Sequence, residues 1–140
     1  MPLKPAELPL AVCAAVIEHE GKILLTERPA EKQHGGFWEF PGGKIDPGES
    51  PHNALKRELH EELDVNIEVG PVFETVYHHY GWGSVLIIAY LCRWRSGEIK
   101  HLEVADHAWV APEKFADYKI LPADQPILQK LKYRAEKQQK

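Results

Sequence analysis

Three glutamates stand within five positions of the stretch RELHEEL: Glu58, Glu61 and Glu62. On a helix they occupy i, i+3 and i+4, so their carboxylates share one side. Like charges at that spacing destabilise a helix by roughly 0.2–0.5 kcal/mol per pair. On a wheel of about 100° per residue, Leu55, Leu59 and Leu63 form one stripe. Ala54 and the three glutamates fill the adjoining sector, with Arg57 at its border. The carboxylates therefore lie at the edge of a buried face, where the dielectric is lower and repulsion larger than on a wet surface. A divalent cation removes that repulsion, and an oxygen-only cluster suits hard Mg2+ or Mn2+. His52 and His60 share the helix but point to other sectors, and read as solvated surface residues.

The loop before the helix supplies the second half of this chemistry. Gly42 and Gly43 let the backbone approach another group closely, and a free main-chain carbonyl there is a further hard ligand. The span from Gly43 to Glu49 brings Glu49 near the helix start, within reach of Arg57. That pair would brace the loop against the helix.

Positioning these groups takes a sheet. AVCAAVI (Ala11 to Ile17) is apolar on both faces and reads as a central strand, and His19-Glu20-Gly21 turns it into a second, KILLTE (Lys22 to Glu27). FWEFP (Phe37 to Pro41) reads as a short extended piece with Trp38 and Phe40 on one face and Glu39 on the other. With three glycines and a proline in nine residues, GGKIDPGES (Gly42 to Ser50) reads as irregular. Ser50 then serves as N-cap and Pro51 as first helical residue of a helix running to about Leu63. Extended stretches follow at Asn66 to Tyr80 and Ser84 to Trp94, the second apolar on both faces and so placed mid-sheet. His107 to Val110 is one more strand, APEKFADY a turn or short helix, and Pro122 to about Lys137 a final helix. The pattern predicts a single α/β domain over 1–140, one sheet with helices on it.

Composition excludes several classes. At 140 residues, 44% hydrophobic and 27% charged, the chain is an ordinary globular length and mixture. A net charge of −4 offers no basic field for a nucleic acid polymer, and the basic run Lys130 to Arg134 reads as the solvated face of a last helix. Cys13 and Cys92 sit far apart in apolar runs, as small buried hydrophobes of a reducing compartment. The start MPLKPAELPL lacks the layout of a signal peptide, and no run approaches the ~18 apolar residues of a membrane span. These features predict a cytoplasmic protein.

Gly43, five residues, Glu49, seven residues, then Arg57-Glu58-Leu59-His60-Glu61-Glu62-Leu63-Asp64-Val65 resembles the Nudix box, Gx5Ex7REUxEExGU with U aliphatic, at positions 43–65. Seven of the eight residues specified after the first Gly are present. The departure is Asp64 where the family has Gly. That position follows the helix and needs a left-handed C-cap, which Asp is among the few non-Gly residues to tolerate. A stability cost is expected there rather than lost chemistry.

The resemblance implies a Nudix-type α/β/α sandwich with a mixed sheet, and the rest of the chain is similar to the MutT-type branch. It implies Gly42 (main-chain oxygen), Glu58, Glu61 and Glu62 as metal ligands, and Glu49 with Arg57 as the bracing pair. Glu103, six residues before Trp109, resembles the branch's additional carboxylate and would ligate metal or orient water; read from its surroundings alone it is a loop charge. Glu61 is the first choice of general base, with Glu58 or Glu103 next. Trp38 or Phe40 could stack on a nucleobase, though at least one is expected in the core. Arg28 could reach a phosphate or the base. Asp124 in LPADQP matches the branch's base-reading position, and an Asp accepts hydrogens from a guanine edge or a cytosine amino group. The implied activity is hydrolysis of a nucleoside triphosphate to monophosphate and pyrophosphate, with 8-oxo-dGTP first and CTP or 5-methyl-dCTP second. Hydrolysis of nucleotide sugars or dinucleoside polyphosphates is a third reading, and a catalytically dead Nudix ligand sensor a fourth. Oligomeric state is open between monomer and homodimer.

Overall fold

The structure, a computed structural model, describes residues 8–138. The start MPLKPAELPL, read above as no signal peptide, spans residues 1–10 and so lies mostly outside them. Strands β1 (Leu10–His19) and β2 (Lys22–Glu27) pair antiparallel through a tight turn. Glu20 and Gly21 both have positive φ there, 53° and 78°. Two such residues give the turn the twist that matches its flanking strands. The other strands are β3 (Trp38–Glu39), β4 (Gly42–Lys44), β5 (Asn66–Tyr80), β6 (Gly83–Ser96) and β7 (Asp106–Val110). Their order is β3-β2-β1-β6-β5, with β4 also on β1 and β7 also on β2. β1 and β6 run parallel and the other pairs antiparallel, so the sheet is mixed.

Alternation along β1 feeds two cores. Ala14 and Val16 join one with Ile127, Leu128 and Leu131 of helix α2 (Gln125–Gln138). Cys13, Ala15 and Ile17 join the other with Ala54, Leu55, Leu59 and Leu63 of helix α1 (Pro51–Leu63). A helix on each face makes the architecture an α/β/α sandwich, as the resemblance implies. β6 is paired on both sides, which explains its two apolar faces. Both cysteines are free and buried, and burial pushes their thiols up to about 11 at Cys13 and about 12 at Cys92. No helix among the described residues is long and apolar enough to cross a membrane.

The segment expected to be irregular from Gly42 is a strand as far as Lys44, registered on Val12 to Ala14. That ladder uses only main-chain groups, so two glycines suit it when a partner backbone is close. Helix α1 begins and ends where its residue types dictate. The Ser50 hydroxyl accepts the Asn53 N–H at 3.1 Å. Asp64 is left-handed at φ 57° and ψ 39°, and its N–H donates to the His60 carbonyl at 3.0 Å. Its carboxylate meets Lys100 at 3.2 Å. A branched residue in this conformation costs roughly 1–2 kcal/mol. Asp64→Val should therefore lower the unfolding free energy in urea by about that amount, while Asp64→Gly stays within about 1 kcal/mol of the parent, losing only an exposed ion pair.

Candidate active site

Gly42 is held where no other residue fits. Its φ is 149°, and a Cβ would stand 2.1 Å from the Cys13 carbonyl oxygen. The bonded pairs on either side are Ala15–Pro41, with the Ala15 N–H donating to the Pro41 carbonyl at 2.8 Å, and Cys13–Gly43, so the ladder bonds belong to its neighbours. In an antiparallel ladder the intervening residue turns its own N–H and C=O away from the partner strand. The Gly42 N–H accordingly donates to Glu62 Oε2 at 3.2 Å. Its carbonyl is free of the ladder, which is what a main-chain metal ligand requires. Gly43 is needed for another reason: a Cβ there would lie 2.6 Å from the Glu58 carboxylate.

Arg57 ties loop to helix. Its Nε and Nη2 donate to Glu49 at 2.8 and 2.9 Å. Nη2 also reaches the Lys44 carbonyl at 3.1 Å, and Nη1 reaches Glu58 at 3.0 Å and Glu61 at 3.3 Å. Asp46 is 3.4 Å away. The bidentate bond to Arg57 holds Glu49 down at about 2. Glu103 reaches the cluster because the loop after β6 binds the end of α1. The Leu102 and Glu103 N–H groups both donate to the Glu62 carbonyl, at 3.0 and 3.3 Å.

A cavity of about 480 Å3 joins the two faces of the sheet. On the α1 side Gly42, Gly43, Glu58, Glu62 and Glu103 line it; on the α2 side Phe40, Leu121, Ala123 and Asp124 do. Burial, then the charge of Glu58, pushes Glu62 well above the ordinary carboxylate range. Burial also raises Glu58, against the pull of Arg57. Carboxylates so crowded and so short of solvent fit a hard cation, which restores the charge balance that burial removes. Glu61 stands apart: its side chain is 45% exposed, rests on Arg57 and is absent from the cavity wall.

The far end is built by a return of the chain. Trp38 N–H donates to the Lys119 carbonyl at 2.8 Å, and Leu121 N–H to the Trp38 carbonyl at 3.0 Å. This clamp sets the turn Pro122–Asp124 against β3, and Asp124 Oδ2 accepts the Phe40 N–H at 3.3 Å. Burial, then the charge of Glu39, raises Asp124 to about 8. Arg28 lines the cavity but is not free: its Nη1 meets both Glu39 oxygens at 3.2 and 3.0 Å. Trp38 does not reach the cavity. Its ring packs edge-on against Tyr118 at 5.0 Å and on the α2-side core. Phe40 is on the wall but only 3% exposed, so its ring is core as well. Sequence reasoning missed Glu39 and Tyr80, which both line the cavity. Tyr80 is half-buried and stacks on Trp82 at 5.5 Å, and its one sequence signal is its place beside the Gly81-Trp82-Gly83 turn.

Residues 7–131 match the family model of the NUDIX domain. The chain belongs to the Nudix family. A CTP pyrophosphohydrolase of Escherichia coli strain K12 is 42% identical over 124 residues, 86% of this chain and 89% of that protein. An 8-oxo-dGTP diphosphatase of Haemophilus influenzae is 32% identical over 123 residues, 87% of this chain and 90% of that one. The MutT NUDIX hydrolase from Burkholderia pseudomallei superposes with a TM-score of 0.80 at 29% identity, covering 89% of this chain and 98% of that chain. This is a MutT-like Nudix hydrolase, of a family that acts on nucleotides with a divalent metal.

Two outcomes follow from this geometry. Gly43→Ala should keep its unfolding midpoint, because only a side-chain end must shift, yet weaken divalent-metal affinity by about tenfold or more. Gly42→Ala, blocked by backbone, should not accumulate as folded protein. Second, the Asp124 carboxyl holds its proton in the folded state up to about 8, while an unfolded Asp releases it near ~3.9. Between those values the folded state binds more protons, so stability falls as pH rises through the window. Asp124→Asn should flatten that slope in thermal unfolding of the metal-free protein.

Proposed function

We propose that this Nudix hydrolase cleaves a nucleoside triphosphate to the monophosphate and pyrophosphate with Mg2+ or Mn2+, and that its first substrate is a cytosine nucleotide. The observation that carries the choice is the buried Asp124 carboxyl at the far end of the cavity. A neutral carboxyl offers one O–H donor and one acceptor, which match N3 and the amino group of a cytosine edge. The 42% identical CTP pyrophosphohydrolase supports the same reading. The second reading, 8-oxo-dGTP, is the first expectation of the sequence and is supported by the relative from Haemophilus influenzae. An ionised Asp124 would suit that base, by accepting from a guanine edge.

Gly42 through its carbonyl, Glu58, Glu61, Glu62 and Glu103 are the residues that would hold the metal. When bound, such a cation neutralises phosphate charge and lowers the pKa of water. Glu58 replaces Glu61 as first choice of general base, because it lines the cavity and is oriented by Arg57 at 3.0 Å, whereas Glu61 lies on the rim. Glu49 keeps Arg57 in place. Arg28 with Glu39, and Tyr80, are the groups placed to contact the base or sugar.

Mg2+-dependent pyrophosphate release from CTP, 5-methyl-dCTP, 8-oxo-dGTP, dGTP and dATP tests the reading. Glu58→Gln is expected to lower kcat by about 10²–10⁴-fold, and Asp124→Ala to erase discrimination between bases. Preference for 8-oxo-dGTP would keep the chemistry and exchange the substrate. Turnover of nucleotide sugars alone would remove the triphosphate reading.

A further inference from the structure

Beside the active site, the loop that carries Glu103 holds a second set of metal-ligand atoms of a different character. His101 Nε2 lies 2.7 Å from His107 Nδ1 and 3.7 Å from Asp106 Oδ1. One ligand atom from each of the three residues lies within 4.8 Å of the others. We propose that His101, Asp106 and His107 bind a borderline transition ion of the Zn2+ class, separate from the hard cation of the glutamate cluster.

The chemistry of the donors selects the ion. Two imidazoles and one carboxylate suit Zn2+, Co2+ or Ni2+, whereas Mg2+ takes oxygen and dehydrates reluctantly. Three protein ligands leave a position for water, and the solvent-facing His101 and Asp106 give an ion direct entry. Zinc–nitrogen bonds of about 2.0–2.1 Å at a tetrahedral angle set the two ring nitrogens about 3.3 Å apart, so they must separate by about 0.6 Å from the 2.7 Å at which they stand. The 2.7 Å contact pairs one ring nitrogen as donor with the other as acceptor, so one of the two already aims a lone pair into the site.

Local charge points the same way. β7 pairs with β2 so that Asp106 stands opposite Glu27, and like charges at directly opposed positions destabilise a sheet. The nearest loop cation, Lys100, is turned to Asp64 at 3.2 Å rather than to this cluster. The backbone prepares the ligands on two separate elements. His101 sits between Lys100 and Leu102, whose N–H groups donate to the Leu63 and Glu62 carbonyls at 2.9 and 3.0 Å. Asp106 and His107 begin β7, and Asp106 Oδ1 accepts the His107 N–H at 2.8 Å. An ion at this site therefore ties the α1 end of the Glu103 loop to the sheet.

Equilibrium dialysis of metal-stripped, full-length protein against Zn2+ in excess Mg2+ tests the assignment, with Co2+ absorption reporting nitrogen ligation. One Zn2+ per chain should remain. His101→Gln and His107→Gln should each weaken it by more than the roughly tenfold to hundredfold lost with an outer-shell partner, with metal-free unfolding midpoints unchanged. Glu62→Gln should leave zinc in place. Equal zinc retention in the parent and both histidine variants, loss of zinc in Glu62→Gln, or no retention in the parent would each overturn the proposal.

Discussion

Four carboxylates converge on one guanidinium. Arg57 donates to Glu49, Glu58 and Glu61, stands beside Asp46, and also reaches the Lys44 carbonyl. Every other feature of the acidic site presupposes this hub. It fixes the loop that follows β4 against helix α1, next to the point where the Gly42 N–H meets the Glu62 carboxylate. A lysine could not do the same, because a point charge lacks the planar fork that grips Glu49 twice while turning a third nitrogen to Glu58. The hub also leaves Glu62 to itself, which is why burial acts on that residue with so little opposition.

The cavity then holds two acidic regions with different solutions to burial. At the α1 end the carboxylates are several and close, and the geometry fits a cation. At the α2 end Glu39 is paired with Arg28, and burial raises Asp124 to about 8. One enclosure thus carries a crowded carboxylate cluster at one end and a single buried carboxyl at the other. The floor between them is apolar, from Val12, Val85 and Ile87. β1 makes both possible, since its alternate residues face the two helices and its middle carries β4.

What the sequence discloses divides along local and non-local lines. Ser50, Pro51 and Asp64 mark the bounds of α1 because caps act within a turn of the chain. The strand β4 is hidden, because its pairing with β1 is remote in sequence and Gly42 and Gly43 carry no strand propensity. Trp38 and Phe40 do share a face, as alternation requires, but no pattern tells whether a core or a cavity lies beyond it. Glu39 looks like a lone charge between two aromatic residues. Its meaning comes from Arg28 across the β2–β3 pair and from the return of Lys119 to Asp124. The glutamate cluster is the opposite case, where spacing along one helix is nearly the whole of the geometry.

The clamp of Trp38 by Lys119 and Leu121 divides the cavity between early and late parts of the chain. The glutamate end of the cavity is complete in sequence by Glu103, with sheet partners that precede it. The far end of the cavity waits for Asp124, and Asp124 is fixed only once the segment before α2 has laid itself along β3. A chain emerging from the ribosome thus presents every residue of the glutamate cluster before it presents Asp124.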